Sequence, residues 1–402
     1  MRIAILTDES LPLGIRNHAK MLHELGVALL NNGHSVTIIT PGDPGQERPL
    51  IFDSFEGVDI WRFKSGYTRG VGMLRRLINE FLLSFHAWYA IASEVEENPF
   101  DLCINFSPTI FFGPLTRKLK QRGAYVYLIL RDMFPQWAVD RGLLSKASPL
   151  LLFLRYYEKL NYKSADWIGV QSPANKVDFL ARFKSFDNVS VLMNWRAVVS
   201  ANAQLHQVNT LRQKLNLEGK VVFFYGGNIG LAQNMENIMR LARTMREHPK
   251  AHFLFVGQGD EYKLINDLAS EWMLDNVTIL PSVSQEEFLE FLAVVDVGLF
   301  SLSKEHTGHN FPGKTLAYMS ASIPILGSVN PGNDLLSLVN RAGAGCIYVN
   351  GEDELLAGAA LKLLESKNTR SDLGARAHSL LVKQFSVESA VMVIMSKVNG
   401  EI

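Results

Sequence analysis

Val221-Val222-Phe223-Phe224-Tyr225-Gly226-Gly227-Asn228-Ile229-Gly230 is an apolar run that ends in a glycine-bearing loop, and a helical pattern over residues 234–247 follows it. An apolar run of this length bounded by glycine predicts a buried strand. Strand, loop and helix in that order form the repeating unit of a parallel α/β sheet. Glycines at the end of such a strand let the backbone approach a ligand closely. The helix start offers free N–H groups and a positive dipole end to an anion. The same residues also suit a tight turn that binds nothing.

The unit recurs on both sides. Downstream, short apolar runs at 252–256, 277–280, 297–300, 324–326 and 346–349 alternate with helical stretches. Upstream, runs at 3–7, 36–40, 101–106, 125–130, 167–171 and 189–192 do the same, beginning with a helix over 17–32 that stops at Gly33. Residues 195–220 are polar and weakly patterned and read as a linker. The alternation predicts an α/β protein of two Rossmann-like, doubly wound parallel-sheet domains facing a central cleft. The expected domains are 1–195, 196–386, and a C-terminal helix at 387–402 returning to the first domain. Ligands of such sheets bind beyond the carboxyl ends of the strands, so the loops there are where function is sought.

Bulk properties narrow the class. The 402 residues exceed one ordinary core and suit two domains. Forty basic and forty acidic residues cancel, which argues against nucleic acid as a partner. Cys103 and Cys346 both lie in apolar runs, read as buried thiols, and suit a cytoplasmic protein. The N-terminal apolar run is too short for a signal peptide, and no apolar run approaches the ~20 residues of a membrane span.

Four further loops carry candidate chemistry. Val256-Gly257-Gln258-Gly259-Asp260-Glu261 fits either a ligand loop or a turn with helix-capping acids. Residues 301–315 form a long polar loop containing His309, Asn310, Phe311, Pro312, Gly313, Lys314 and Thr315. Lys314 just inside a helix start is poor for the helix dipole and useful to a phosphate. In the first half, Arg131 and Asp132 follow a strand, as cleft-facing groups or as an ion pair within the loop. The first loop, Thr7-Asp8-Glu9-Ser10-Leu11-Pro12-Leu13-Gly14, is not G-x-G-x-x-G, which argues against a nicotinamide-dependent dehydrogenase.

In this order and spacing the motifs resemble family 4 glycosyltransferases of the GT-B fold over nearly the whole chain. The carrying residues are the Gly14 loop, Gly33-His34-Ser35-Val36-Thr37, the 226–230 loop, Val256-Gly257-Gln258-Gly259, and Phe311-Pro312-Gly313-Lys314 running on to Pro324. The resemblance implies a UDP-sugar donor, no resident cofactor and no metal, and retention of anomeric configuration. It implies donor binding by Gly14, Gly227, Asn228, Ile229, Gly230, Gln233, Gly257, Asn310, Phe311, Pro312, Gly313 and Thr315. Lys314, Asp132 and His309 become the catalytic candidates, and Glu9, His18 and Arg131 the acceptor-side ones.

Two departures stand out. Many members have two glutamates separated by seven residues; here those places hold His309 and Ala317. Many have Arg and Lys after the first glycine loop; here they are Asn228 and Gln233, leaving Lys314 to supply positive charge. Phe-Tyr-Gly-Gly-Asn-Ile-Gly-Leu-Ala-Gln and Phe-Pro-Gly-Lys-Thr further resemble bacterial O-antigen and capsule enzymes that move L-fucosamine-type deoxy-amino sugars to a lipid-linked saccharide. A GT-B sugar-nucleotide epimerase and a non-catalytic nucleotide-sugar binder share the architecture and stay open as alternatives.

Residues 74–92 carry an apolar helical stripe, Leu74, Leu77, Ile78, Phe81, Leu82, Phe85, Trp88, Tyr89 and Ala92, flanked by Arg69, Arg75 and Arg76. Residues 149–162 repeat the theme with Arg155, Lys159 and Lys163 nearby. Each stretch fits a helix packed on the sheet or one lying on the inner face of a bacterial inner membrane.

Overall fold

The computed structural model describes the chain apart from residues 15, 108, 141, 143, 199–204, 306–310 and 401–402, with residues 137, 140 and 205–209 described by backbone alone. The chain divides into two compact units, one of Met1–Met193 with Val387–Ile402, the other of Asn194–Ser386.

The first unit is built on eight strands: β1 (Arg2–Leu6), β2 (Ser35–Pro41), β3 (Leu50–Phe55), β4 (Val58–Phe63), β5 (Leu102–Ser107), β6 (Tyr125–Leu130), β7 (Trp167–Val170) and β8 (Val189–Val191). They lie in the order β3-β4-β2-β1-β5-β6-β7-β8. All pairs are parallel except β3–β4. The central strands are buried on both faces, which is why they read as continuous apolar runs. Chain direction reverses between β1, which leads outward to β2, and β5, which leads the other way. That gap is the switch point where an open α/β sheet receives a ligand.

The β3–β4 hairpin is absent from the alternation read in the sequence. Glu56 and Gly57, at φ 48° and 82°, make its two-residue turn. The Val387–Val398 helix lies in this unit and packs on the Asn17–Asn31 helix.

The second unit has six parallel strands: β9 (Val221–Asn228), β10 (Ala251–Gln258), β11 (Val277–Leu280), β12 (Val297–Ser301), β13 (Ile325–Val329) and β14 (Gly345–Val349). Their order, β11-β10-β9-β12-β13-β14, places the switch point between β9 and β12. Phe223, Tyr225, Phe253 and Phe255 form one side of its core with Ile238, Met239 and Ala242. The stretch read as a linker contains a helix, Leu205–Lys214. Arg212 anchors its end on the Val294 carbonyl, 2.7 Å away. Cys103 is buried, whereas Cys346 is only partly covered. No helix among the described residues is long and apolar enough to cross a membrane.

Candidate functional site

At the switch point of the second unit, β9 runs on through Gly226, Gly227 and Asn228, which pair in register with Val256, Gly257 and Gln258 of β10. The two glycine loops are therefore locked to each other. A Cβ on Gly257 would stand 1.9 Å from the Gly227 carbonyl oxygen, and one on Gly259 would stand 2.2 Å from that of Ile229. The Ile229 amide donates to the Gln258 carbonyl at 2.9 Å, and the Glu261 amide to the Ile229 carbonyl at 3.0 Å. Gly257 thus serves loop-to-loop packing. Gly227 is the residue that faces the site. Its φ of +116° suits glycine, and a Cβ there would meet the Lys314 side chain at 3.7 Å.

Lys314 is the second residue of the helix Gly313–Ser320. Its ammonium nitrogen sits 3.4 Å from the centroid of the Tyr225 ring. The side chain as a whole is half-buried, but that nitrogen is withdrawn from solvent and has no hydrogen-bond partner among the described residues. Burial drives the Lys314 pKa well below its ordinary value. The ring face attracts a cation, yet it supplies no hydrogen bond to replace water. A buried amine left in this condition suits an arriving anion.

Two tyrosines that the sequence reading overlooked hold this arrangement. The Tyr225 hydroxyl donates to the Asn228 carbonyl at 2.6 Å. The buried Tyr318 hydroxyl accepts from the Gly226 amide at 3.2 Å and shares its one proton between the Phe224 and Leu299 carbonyls, at 3.2 and 3.1 Å. Gly298 makes room for the Tyr318 ring, since a Cβ there would lie 2.3 Å from it. Tyr318 thereby ties the helix that carries Lys314 to both strands of the switch point.

The loop's own helix start behaves differently from expectation. Glu261 accepts from the Met235 amide at 2.8 Å, and Asp260 from the Leu231 amide at 3.0 Å. Acids already occupy those donors, so the start of the helix Met235–Thr244 repels a phosphate. The Gly313–Ser320 helix has no acid in its first turn and no side-chain cap. Of the remaining donor-side candidates, Asn228 donates to Gln233 at 2.8 Å, making a neutral amide pair. Thr315 is buried with its hydroxyl given to the Pro312 carbonyl at 2.7 Å, and Phe311 packs on Phe385. Ile229 is buried, Gly230 stands before the short turn Leu231–Gln233, and Gly313 opens its helix with no atom within 4 Å of a Cβ position. His309 and Asn310 lie outside the described residues.

In the first unit a charged cluster forms on the loop after β1. Asp8 lies 2.9 Å from His18, 3.5 Å from Arg69 and 3.6 Å from Arg16. Glu9 lies 2.5 Å from Arg69 and 3.7 Å from Arg16. His18 stacks on Phe106 at the end of β5, so the cluster borders the switch point. Burial alone would raise the Asp8 carboxyl. The hydrogen bond and charge of His18, then Arg69 and Arg16, outweigh it and hold the pKa low. Gly14 is needed because a Cβ there would sit 2.6 Å from the Glu9 side chain. Arg69, read in the sequence as flanking the apolar stripe, belongs instead to this cluster. Arg131 donates to the carbonyls of Leu192 and of Met193, the latter at 3.3 Å, so it positions the chain after β8. Burial lowers its pKa to about 10, which leaves it charged at neutral pH. Asp132 beside it is exposed.

Two Rossmann-like units, each with polar loops at its switch point, define the GT-B architecture. Residues 207–379 match the family Glycosyl transferases group 1. The chain is 26% identical over 354 residues to the probable glycosyltransferase WbjE of Pseudomonas aeruginosa, covering 87% of this chain and 86% of that one. It is 24% identical over 284 residues to the putative colanic acid biosynthesis glycosyl transferase WcaI of Escherichia coli K12, covering 67% and 69%. Among solved structures, Anabaena HepE in complex with UDP and glucose superposes over 100% of both chains with a TM-score of 0.68 at 15% identity. The chain is a glycosyltransferase, and its likeness to group 1 lies in residues 207–379.

Proposed function

We propose that this enzyme transfers a sugar from a UDP-sugar to a lipid-linked saccharide in bacterial surface-polysaccharide assembly, with Lys314 on the donor diphosphate. The observation that carries the reading is the buried Lys314 ammonium, which lacks a hydrogen-bond partner among the described residues and stands between Gly227, Tyr225 and an acid-free helix start. The bond between the anomeric carbon and the phosphate oxygen breaks as the acceptor hydroxyl oxygen bonds that carbon, and the hydroxyl proton passes to the departing phosphate. Negative charge grows on the leaving UDP, and a fixed cation beside it lowers the barrier. UDP as the nucleotide is supported by the UDP in the Anabaena structure. The acceptor class is supported by the colanic acid assignment of the Escherichia coli relative. A deoxy-amino sugar of the L-fucosamine type and a retained anomeric configuration rest on the motif resemblance. With Lys314 stabilising the leaving charge no divalent ion is required, so turnover is expected to persist in EDTA.

The test is a donor panel incubated with extracted lipid acceptor, reading UDP release and product stereochemistry. UDP release that depends on acceptor supports the reading. Epimerised donor without acceptor, or binding without turnover, sinks it.

A pH dependence follows from the same amine. In the free protein Lys314 gives up its proton well below the pKa of an ordinary lysine. A bound diphosphate favours the charged form, so UDP binding takes up a proton. UDP keeps a constant charge above its last phosphate pKa of ~6. Affinity is therefore expected to weaken as pH rises, approaching about ten-fold per unit once the free amine is neutral. Calorimetry in buffers of different ionisation enthalpy checks this, and Lys314→Met should abolish the slope. A flat profile in the wild type would remove the proton-linked role.

A further inference from the structure

The helix Met73–Glu97 has two apolar faces. Leu83, Ala87, Ile91 and Val95 point into the core of the first unit. The opposite face carries Leu74, Ile78, Phe85 and Tyr89 at spacings of four, seven and four, and all four are exposed, Leu74 by 72% and Tyr89 by 81%. Phe81, on that same stripe, bridges to the helix Pro149–Ser164 through Phe153 and Tyr157, with ring centroids at 5.7 and 5.5 Å. The second helix adds Leu152 and Tyr156, exposed by 72% and 63%. The two helices thus present one joined apolar surface, where isolated exposed apolar residues would be unremarkable.

Charge sits beside this surface in a definite order. Leu152, Tyr156, Lys159 and Lys163 follow helical spacing along one stripe, so apolar residues occupy its first half and lysines its second. Lys159, Lys163, Lys146 and Arg75 are exposed and enter no ion pair among the described residues. The acids of these two helices near the patch are already engaged. Glu80 holds Arg76 at 2.7 Å, and the buried Glu158 holds Arg155 at 2.7 Å. Among the described residues of the two helices, the surface is apolar, rimmed by free positive charge and lacking free negative charge.

We infer that this two-helix face docks on an anionic phospholipid bilayer, with Leu74, Ile78, Leu152 and Tyr156 entering the interface and Lys159 and Lys163 meeting the headgroups. Apolar side chains buried at the headgroup boundary and lysines at an anionic surface each add to such binding. A second copy of the chain would bring the same positive rim against itself, whereas an anionic surface complements it. The inference rests on a different part of the molecule from the donor-site reading, so either can fail alone.

Flotation of the full chain with vesicles of phosphatidylcholine, alone or mixed with phosphatidylglycerol, tests it. The wild type is expected to float with the mixed vesicles and roughly ten-fold less with phosphatidylcholine alone. Leu152→Glu with Tyr156→Glu should abolish flotation while leaving UDP binding unchanged. Lys159→Glu with Lys163→Glu should reduce flotation on mixed vesicles to the phosphatidylcholine level, and this pair decides the matter if the first variant unfolds. A wild type that stays with the soluble fraction would overturn the inference. So would variants that float like the wild type, or a dimer in light scattering that Leu152→Glu with Tyr156→Glu dissolves without any flotation in the wild type.

Discussion

Replacing Lys314 with alanine is expected to lower kcat/KM roughly 10²–10³-fold while the unfolding midpoint holds or rises. The two halves of this result come from one physical fact. In the free protein the amine is withdrawn from water and meets a ring face in place of hydrogen-bond acceptors. That placement costs stability, so deleting the side chain removes a penalty along with some packing. The unfolded chain binds its lysine proton more readily than the folded one does. Stability is therefore lowest below the depressed folded pKa and recovers as pH rises through the window up to the ordinary lysine value. When the diphosphate leaves, the same withdrawal from water makes the lysine's charge count for more. Lys314→Arg is not expected to rescue fully, because the longer, forked guanidinium spreads its charge away from the point where the compact ammonium stands over Tyr225. Turnover near wild type in Lys314→Ala would leave the diphosphate without its proposed partner.

The fold was legible because buried strands of a parallel sheet write themselves as continuous apolar runs, and β1, β5, β6, β9 and β10 all do so. The β3–β4 hairpin also carries its signal, a Glu-Gly turn between two strand-like runs, but β3 is largely exposed, with Ile51 and Phe52 beside Asp53 and Ser54, so it lacks the continuous apolar run of a buried strand. The site was legible only as far as local order reaches. Lys314 at a helix start invites suspicion from its neighbours alone. That its nitrogen lies on the Tyr225 ring depends on strand register, which no local pattern contains. Arg131 is instructive in the same way. As a charged residue after a central strand it reads as cleft-facing, yet the carbonyls of Leu192 and Met193 take it. Arg69 reads as the rim of an apolar stripe and is drawn instead to Asp8 and Glu9. Long side chains choose partners by three-dimensional proximity, so their roles were the least readable part of the sequence.

Gly257→Ala is expected to cost about 2–4 kcal/mol of folding stability and to abolish measurable UDP binding, whereas Gly313→Ala should leave the fold intact and weaken UDP alone. Both glycines lie in motifs whose resemblance points to donor contact, so sequence alone assigns them one role. Their surroundings assign two. A methyl at Gly257 would overlap the Gly227 carbonyl, 1.9 Å away, near the carboxyl end of the β9–β10 ladder. That atom is backbone and cannot swing aside, so the two strands must separate, and Gly227 would move from beneath Lys314. A methyl at Gly313 meets nothing within 4 Å among the described residues beyond its own helix and chain neighbours. Alanine also suits a first helical turn better than glycine, so a gain of up to about 1 kcal/mol is expected in the free state. The empty space is useful only if a ligand group comes close to that backbone, and a phosphate at the helix start is such a group. Thermal unfolding with and without UDP separates the two effects in one experiment. If Gly313→Ala binds UDP like the wild type, the phosphate does not sit at the start of the Gly313–Ser320 helix, whatever Lys314 does.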